Sequence, residues 1–247
     1  MVTRVAVVGA SGRLGSVACD VIAQQSDLVL AARLGSRSDL DEMLGSDVVL
    51  DVTTPGVSAT VVDHAVRAGL DVVVGTSGWS EERLRTLRTL LADHPERGVI
   101  VVPNFSVGSV LATHFATIAA RFYESIEIVE AHHAAKVDSP SGTAVRTAEL
   151  IGRARADIGP VVAPHVDQRA RGQQVAGVPV HSLRLQGVLA QQEVHFGGDG
   201  EVLSLRHQTQ SASSYEQGIL AAVRAAHGRV GLTVGLDAII GLTEPLA

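Results

Sequence analysis

The chain has 247 residues, of which 46% are hydrophobic and only 3% aromatic, and its formal net charge is -6 at pH 7. Charges of both signs are interspersed without a basic block, which excludes the electrostatic pattern of a nucleic-acid-binding protein. The single cysteine, Cys19, cannot form a disulfide within the chain, and no apolar run reaches the ~18 residues of a membrane helix. We therefore expect a cytoplasmic protein with an aliphatic core, no metal site, and no membrane or nucleic-acid partner.

Over the first 104 residues, short aliphatic runs alternate with longer amphipathic segments. Hydrophobic periodicity predicts strands at residues 5–8, 28–32, 47–52, 71–74 and 99–102. It predicts helices between them at residues 12–24, 57–68 and 81–92. Strands that alternate with helices through short turns are typical of a doubly wound parallel sheet.

The pattern changes after Phe105. The sequence predicts a helix at residues 107–122, a strand at 126–130, a helix at 144–154 and a long loop at 157–180. Strands are predicted again at 181–188, 192–196 and 201–206, and the glycine-rich turn between the last two indicates an antiparallel hairpin. The segments 214–226 and 230–240 are predicted to be helical.

These patterns predict an α/β protein of two domains. The first is a Rossmann-like parallel-sheet domain that binds a dinucleotide, formed by residues 1–105 together with 214–247. The second, residues 106–213, is an α+β domain with a mainly antiparallel sheet.

A glycine-rich loop follows the first predicted strand and begins the first predicted helix. Its sequence is Gly9-Ala10-Ser11-Gly12-Arg13-Leu14-Gly15, a spacing variant of the dinucleotide-binding fingerprint. Glycines allow the backbone to turn tightly and approach a pyrophosphate, and the helix N-terminus presents N–H groups and a positive dipole end to that anion. We therefore predict that all seven residues contact a nicotinamide dinucleotide.

The end of the second predicted strand bears on which dinucleotide binds. NAD-binding domains usually have an acidic residue there, on the adenosine ribose, whereas this region contains Arg33, Gly35 and Arg37. Arginine accommodates a 2′-phosphate through charge-assisted hydrogen bonds, and Arg13 could add to them. We predict that NADPH is favoured over NADH, with Arg33 in the cofactor site; the alternative is that Arg33 and Arg37 are solvated surface groups.

The densest polar motif runs from Glu130 to Ala144. It contains His132, His133 and Lys136, and a Ser141-Gly142-Thr143 turn that enters a helix. Histidine donates protons near neutral pH, lysine supplies a point charge for a carboxylate, and a helix N-terminus offers further N–H groups to an anion. The motif suits a dicarboxylate whose double bond takes up a hydride and a proton. The alternative is an ordinary helix cap beside structural histidines.

This motif resembles the E-L-H-H-x-x-K-x-D-x-P-S-G-T-A signature of 4-hydroxy-tetrahydrodipicolinate reductases, especially their actinobacterial members. Other blocks follow in the order of that family. They are the glycine loop, Gly75-Thr76-Ser77-Gly78, Pro103-Asn104-Phe105-Ser106, Arg184-Leu185-Gln186-Gly187, the run from Gln192 to Gly197, and Arg206-His207. The resemblance covers nearly the whole chain.

The resemblance implies that His132 is the general acid and that Lys136 holds a substrate carboxylate and supports protonation. It implies that the rest of the substrate pocket is formed by His133, Ser141, Gly142 and Thr143. It places the nicotinamide near Gly75, Thr76, Ser77, Pro103, Asn104 and Phe105. It further implies NADH or NADPH as cofactor, a small dicarboxylate substrate in lysine and diaminopimelate synthesis, and a homotetramer joined through the sheet of the second domain.

Departures from the family pattern leave other functions open. The missing acid at Gly35 affects cofactor preference, and Thr54 stands where close relatives often have histidine. One alternative is a Rossmann oxidoreductase that acts on another small acid and has its catalytic groups elsewhere. Another is a dinucleotide sensor without catalysis, although such a protein would not need both His132 and Lys136.

Overall fold

The computed structural model describes residues 2–242, which divide into two compact units. The first unit comprises residues 1–107 and 212–247, and the second comprises residues 108–211. The chain contains the following helices and strands, in order: β1 (Thr3–Val8), α1 (Arg13–Ala23), β2 (Leu28–Leu34), β3 (Val48–Asp51), α2 (Ser58–Arg67), β4 (Asp71–Val74), α3 (Glu81–Asp93), β5 (Gly98–Val101), α4 (Val107–Ala119), β6 (Ser125–His133), α5 (Gly142–Ala154), β7 (Gln173–Val175), β8 (Val178–Leu185), β9 (Ala190–Gly198), β10 (Glu201–Thr209), α6 (Glu216–Ala226) and β11 (Gly231–Val234).

The first unit is built on a six-stranded sheet with the order β11-β5-β4-β3-β1-β2, and every pair of neighbours is parallel. The strands β3, β4 and β5 are buried along their whole length because helices cover both faces. Helices α1 and α6 contact each other, and α2 contacts α3. The predicted doubly wound parallel sheet is confirmed.

The last strand of this sheet corrects a prediction. Residues 230–240 were expected to be helical, but Gly231–Val234 forms β11, which pairs with β5. Gly231 and Gly235 have φ values of +77° and +104°, which a right-handed helix does not accommodate. Between them, Thr233 and Val234 are β-branched and favour a strand. The helical periodicity of the surrounding leucines and isoleucines was therefore misleading.

The second unit contains a five-stranded sheet with the order β10-β9-β6-β8-β7. Its only parallel pair within residues 2–242 is β6 with β8, so the predicted mainly antiparallel sheet is confirmed. The predicted hairpin joins β9 to β10, with Gly200 at φ +79°. The predicted loop at 157–180 is only partly right, because Gln173–Val175 forms β7 and β8 begins at Val178.

One face of this second sheet carries the core of the unit. Alternate side chains of β6, such as Ile126 and Ile128, pack with Ala144, Ala148 and Ile151 of α5. On the opposite face, Leu183, Leu185 and Val202 are 45%, 47% and 70% exposed. The sheet is therefore covered by helices on one side only. In the part of the chain that the structure describes, no helix is long and apolar enough to cross a membrane.

Candidate active site

The glycine loop of the first unit has the geometry that its sequence predicts. Gly9 has φ +90°, and a Cβ on it would lie 2.6 Å from the carbonyl oxygen of Val52. A Cβ on Gly15 would lie 2.1 Å from the carbonyl oxygen of Gly9, so the loop packs directly against the first turn of α1. Ser11, Gly12 and Arg13 are exposed at the start of this helix.

The first turn of α1 fits a dinucleotide pyrophosphate. Its N-cap is Gly12, and no side chain among residues 2–242 caps the turn. The N–H groups of that turn, with the positive end of the helix dipole, are therefore available to an anion. The end of β2 lies beside the loop, because the backbone nitrogens of Gly9 and Ala10 donate to the carbonyl oxygen of Leu34 at 2.9 and 3.0 Å. Arg33, Gly35 and Arg37 flank this point, and both arginines are exposed.

Two further predicted blocks meet in the first unit. A Cβ on Gly75 would lie only 2.4 Å from Cε2 of Phe105, so the buried phenylalanine ring packs directly on the glycine backbone. Thr76 is 5% exposed, and its Oγ1 is buried without a hydrogen-bond partner among residues 2–242. A buried hydroxyl of this kind fits a polar group of a ligand. Nearby in sequence, Ser77 and Pro103 are exposed, and Oδ1 of Asn104 accepts from the backbone nitrogen of Ser106 at 2.9 Å.

A buried network at the end of β3 was not predicted. Asp51 is fully buried and accepts hydrogen bonds from the Oγ1 of Thr53 at 2.6 Å and from the hydroxyl of Ser58. The same hydroxyl accepts from Nε1 of Trp79 at 3.0 Å. The network fixes Trp79 next to the turn at 75–78. The sequence contains a signal for this network, because Asp51 follows three aliphatic residues directly and such an aspartate needs hydrogen-bond donors when it is buried.

In the second unit, the end of β6 carries the predicted general acid. Nδ1 of His132 lies 2.6 Å from Oε2 of Glu130, and the histidine side chain is 15% exposed. Glu130 itself is fully buried and also binds Arg184, whose Nη1 and Nη2 each donate to one carboxylate oxygen at 3.0 Å. The backbone nitrogen of Ser141 donates to Oε1 at 3.2 Å. Each oxygen therefore accepts from at least two groups.

These donors decide the charge of Glu130. Burial alone would raise its pKa, but the hydrogen bonds from His132, Arg184 and Ser182 outweigh burial and hold the pKa at about 2. The carboxylate is therefore ionised at neutral pH. The sequence predicted no role for Glu130 or Arg184. A signal was present, because Ile126, Ile128 and Glu130 alternate along β6, which places the glutamate on the buried face.

The loop after β6 holds Lys136. Its Nζ donates to Oδ1 of Asp138 at 2.7 Å, and its backbone nitrogen donates to the carbonyl oxygen of His133 at 3.0 Å. Burial opposes ionisation of Asp138, but the hydrogen bond from Lys136 lowers the pKa of Asp138 below its ordinary value. The lysine is 22% exposed and the aspartate 57% exposed, so an anion from solvent can reach this pair.

The helix that follows completes this part of the unit. Ser141 is the N-cap of α5, and its Oγ accepts from the backbone nitrogen of Ala144 at 3.2 Å. Gly142 is exposed with open space around it, and Thr143 and His133 are half-buried. The serine hydroxyl is thus used within the protein. Glu130 binds both Ser141 and His132 and so connects them. The sequence showed only that these two residues belong to one motif.

The chain combines a parallel sheet, whose glycine loop leads into an uncapped helix, with a site that contains histidine and lysine. This combination is typical of dinucleotide-dependent oxidoreductases. The sequence model of the N-terminal part of the dihydrodipicolinate reductase family matches residues 3–105 of this chain. The model of the C-terminal part of that family matches residues 108–240. The chain belongs to the dihydrodipicolinate reductase family, which confirms the resemblance seen in the sequence.

Individual relatives agree with this assignment. The chain is 57% identical to the 4-hydroxy-tetrahydrodipicolinate reductase of Clavibacter sepedonicus over 242 residues, which is 98% of this chain and 87% of the relative. It is 46% identical to that of Cutibacterium acnes, covering 97% and 99%. Among solved structures, a dipicolinate-bound dihydrodipicolinate reductase from Paenisporosarcina sp. TG-14 aligns with a TM-score of 0.82 and 31% identity, covering 97% of this chain and 100% of that one.

Proposed function

We propose that the chain is a cytoplasmic enzyme that reduces 4-hydroxy-tetrahydrodipicolinate to tetrahydrodipicolinate with NADH or NADPH, a step in diaminopimelate and lysine synthesis. The observation that carries this proposal is the pairing of His132 with the buried carboxylate of Glu130, on a chain 57% identical to a reductase of that name. We also propose that residues 1–105 with 214–247 bind the cofactor and that residues 106–213 bind the substrate.

The cofactor site follows from the first unit. The N–H groups at the start of α1 would hold the pyrophosphate, together with the loop Gly9–Gly15. Gly75, Thr76 and Phe105 would bind the nicotinamide end, with Thr76 Oγ1 supplying a hydrogen bond, and Ser77, Pro103 and Asn104 would border it. When bound, the reduced nicotinamide supplies the hydride for the substrate's double bond.

The substrate site follows from the second unit. Lys136 would attract a carboxylate of the substrate, in competition with its bond to Asp138. The remaining N–H groups at the start of α5, with Gly142, Thr143 and His133, would bind further oxygens of the dicarboxylate. The 4-hydroxyl group of the substrate leaves as water, which creates the double bond that takes up the hydride, and His132 would then donate a proton to the ring. Ser141 supports this site as the cap of α5.

Turnover with freshly generated substrate tests the proposal. We expect rapid oxidation of the reduced nicotinamide, measured as loss of its absorbance band, that depends on 4-hydroxy-tetrahydrodipicolinate. His132→Ala should lower kcat by about 100-fold or more, as expected for removal of a general acid. His94→Ala, at the C-cap of α3, is a matched control that should leave kcat unchanged. A folded parent that turns over this substrate with neither cofactor would contradict the assignment.

For the cofactor, we propose that NADPH is favoured. The acid that would bind the ribose is missing at Gly35, while Arg13, Arg33 and Arg37 are exposed in or near the glycine loop and the end of β2. Guanidinium groups in these positions attract a 2′-phosphate. The turnover experiment, with NADH and NADPH side by side, should give the lower KM with NADPH.

We further propose that the chain forms a homotetramer through the open face of its second sheet. Three apolar side chains on that face, Leu183, Leu185 and Val202, are exposed. The face also carries both signs of charge, with Arg206 Nε 3.2 Å from Oε1 of Glu193, so one copy can be complementary to another. Light scattering should give four times the 25.7 kDa protomer mass, and Val202→Lys should lower it. A monomeric parent would contradict the proposal.

A further inference from the structure

The buried carboxylate of Glu130 takes no part in the bond changes of the proposed reaction. It lies on the core side of β6, two residues before His132, and it is fully buried. Hydrogen bonds reach its two oxygens from four residues: two from Arg184, and one each from the ring of His132, the backbone of Ser141 and the side chain of Ser182. A buried charge with this many donors fixes the groups that surround it.

The charge of Glu130 determines where the proton of His132 lies. An ionised carboxylate only accepts hydrogen bonds, so at 2.6 Å the Nδ1 of His132 must be the donor. The hydrogen bonds that hold the pKa of Glu130 at about 2 keep the carboxylate ionised across the neutral range. In a neutral imidazole only one nitrogen carries a proton. The proton on Nδ1 therefore leaves Nε2 as the nitrogen that can exchange a proton with a ligand.

We propose that Glu130 is a positioning residue that holds the neutral ring of His132 in the tautomer with its proton on Nδ1. Nε2 is then the nitrogen that takes up a proton from solvent to form the imidazolium and donates that proton to the substrate, which returns the ring to the same neutral tautomer. The use of Nε2 in catalysis rests on the proposed function, whereas the tautomer itself does not. Arg184 completes the arrangement: its two Nη atoms fix the plane of the carboxylate, and Nη2 also donates to the carbonyl oxygen of Asp138, in the loop that carries Lys136. One guanidinium thus connects the supports of both predicted catalytic groups.

The ring nitrogens of the parent protein provide the first test. The chain is labelled with ¹⁵N-histidine, and the resonances of His132 are assigned by their loss in His132→Ala. At a pH where the ring is neutral, we expect Nδ1 to show the chemical shift of a protonated nitrogen and Nε2 that of an unprotonated one. The opposite pattern in the folded parent would overturn the proposal, whatever happens in any variant.

Glu130→Gln tests the cause of the tautomer. A glutamine offers one acceptor and one donor where the carboxylate offered two acceptors. Arg184 donates to both oxygens and the hydroxyl of Ser182 can donate or accept, so neither decides the orientation of the amide. The backbone of Ser141, at Oε1, can only donate, whereas the ring of His132, at Oε2, can become an acceptor. We therefore expect the amide nitrogen to face Nδ1 and the neutral ring to carry its proton on Nε2. A folded Glu130→Gln protein that retains a protonated Nδ1 would contradict the proposal.

The same strand offers a matched control. Glu127 is three residues earlier on β6 and also binds an arginine and a histidine, with Nε2 of His181 at 2.7 Å and Arg171 on the other oxygen. Glu127→Gln should change the ring-nitrogen shifts of His181 and leave those of His132 as in the parent. A change at His132 in this control would show that the effect of Glu130→Gln is not specific.

Kinetics connect the tautomer to the reaction. We expect Glu130→Gln to lower kcat by about 100-fold, the low end for general acid–base catalysis, with KM for the substrate unchanged. A purely structural role would lower the yield of folded protein and leave kcat per folded molecule and the tautomer intact. If the parent does not turn over 4-hydroxy-tetrahydrodipicolinate, the proposed function fails, while the ring-nitrogen shifts still decide the role of Glu130.

Discussion

Two helices begin beside the proposed ligand sites, and their first turns are built in opposite ways. Helix α1 follows Gly12, and no side chain in residues 2–242 caps it. Helix α5 follows Ser141, whose hydroxyl accepts from the backbone of Ala144. The turn of α1 therefore keeps its N–H groups for an external anion, whereas α5 already satisfies one of them with its own cap.

The groups that pack against these two first turns also differ. Behind the first turn of α1 lies the backbone of Gly9 and Ala10, whose close approach to Gly15 leaves no space for a side chain. Behind α5 there is a buried ion pair, in which Glu130 binds Arg184 and His132. The first site therefore depends on backbone shape and the second on side-chain charge. Substitutions and pH should affect the two sites differently.

The largest expected effect concerns the charged site. The pKa of Glu130 is about 2 in the folded protein against an ordinary value of 4.5, so its ionisation stabilises the fold fully above pH 4.5. That stabilisation, about 3 kcal/mol at ~1.4 kcal/mol per pKa unit, should be lost as the pH falls towards 2. Urea unfolding followed by circular dichroism should show the free energy of unfolding decreasing over this range.

Glu130→Gln should already lack this contribution at pH 7, and its free energy of unfolding should decrease less than that of the parent as the pH falls. Glu149→Gln is the control, because Glu149 lies on the surface of α5 and pairs with Arg153 at 3.7 Å. An exposed pair of this kind contributes at most about 1 kcal/mol. Equal acid responses in the parent and Glu130→Gln would show that the buried carboxylate does not stabilise the second unit.

A smaller effect is expected at the backbone site. In Gly15→Ala, the new Cβ would lie 2.1 Å from the carbonyl oxygen of Gly9 and 2.8 Å from the Cα of Ala10, and neither atom can move without the loop. Overpacking of this kind costs about 1–3 kcal/mol, and NADPH affinity should fall at least about tenfold. Calorimetry measures the affinity, and fluorescence of Trp79, which lies in the first unit, follows unfolding.

Gly142→Ala is the counterpart in the second unit. Within residues 2–242, apart from the chain neighbours of Gly142 and the backbone of its own helix, no heavy atom lies within 4 Å of the position that a Cβ on Gly142 would occupy. Alanine is also the better helix former. The free energy of unfolding of this variant should stay the same or rise slightly, and NADPH affinity should not change. If both alanine variants behaved alike, the contrast between the two helix starts would be wrong.

The smallest expected effect concerns cofactor choice. Gly35 has open space around it and no positive φ, so Gly35→Asp should fold normally and restore an acid at the end of β2. The carboxylate should bind a ribose hydroxyl and repel a 2′-phosphate. Since a charged hydrogen bond contributes about 1.5–3 kcal/mol, the ratio of NADPH to NADH affinity should fall at least about tenfold. Unchanged dissociation constants in calorimetry would place the ribose elsewhere.

The sequence was most informative where structure is local. Residues 71–74 were predicted as a strand with the bounds of β4, because an aliphatic run buried on both sides is visible by itself. The glycine loop was likewise found from its spacing. By contrast, β11 was missed because its pairing with β5 joins residues more than a hundred positions apart, and the local leucine pattern favoured a helix.

In the candidate site, too, local features could be predicted from the sequence and long-range ones could not. His132 and Lys136 stand in one motif, so the sequence could propose both. The role of Glu130 depends on Arg184, 54 residues later and on a neighbouring strand. No local pattern shows which cation will reach a buried carboxylate. Alternation along β6 could still have identified Glu130 as an inward-facing charge that needs such a partner.

The position of β11 at residues 231–234 also affects how the protein is made. The second unit is a continuous stretch of chain, but the sheet of the first lacks its edge strand, and one face lacks α6, until a ribosome has passed residue 234. At ~5–20 residues per second, the interval between β5 and β11 lasts on the order of ten seconds. During that time aliphatic strands destined for burial are incompletely covered. The nascent first unit is thus the part of this polypeptide with the greatest need for chaperone protection.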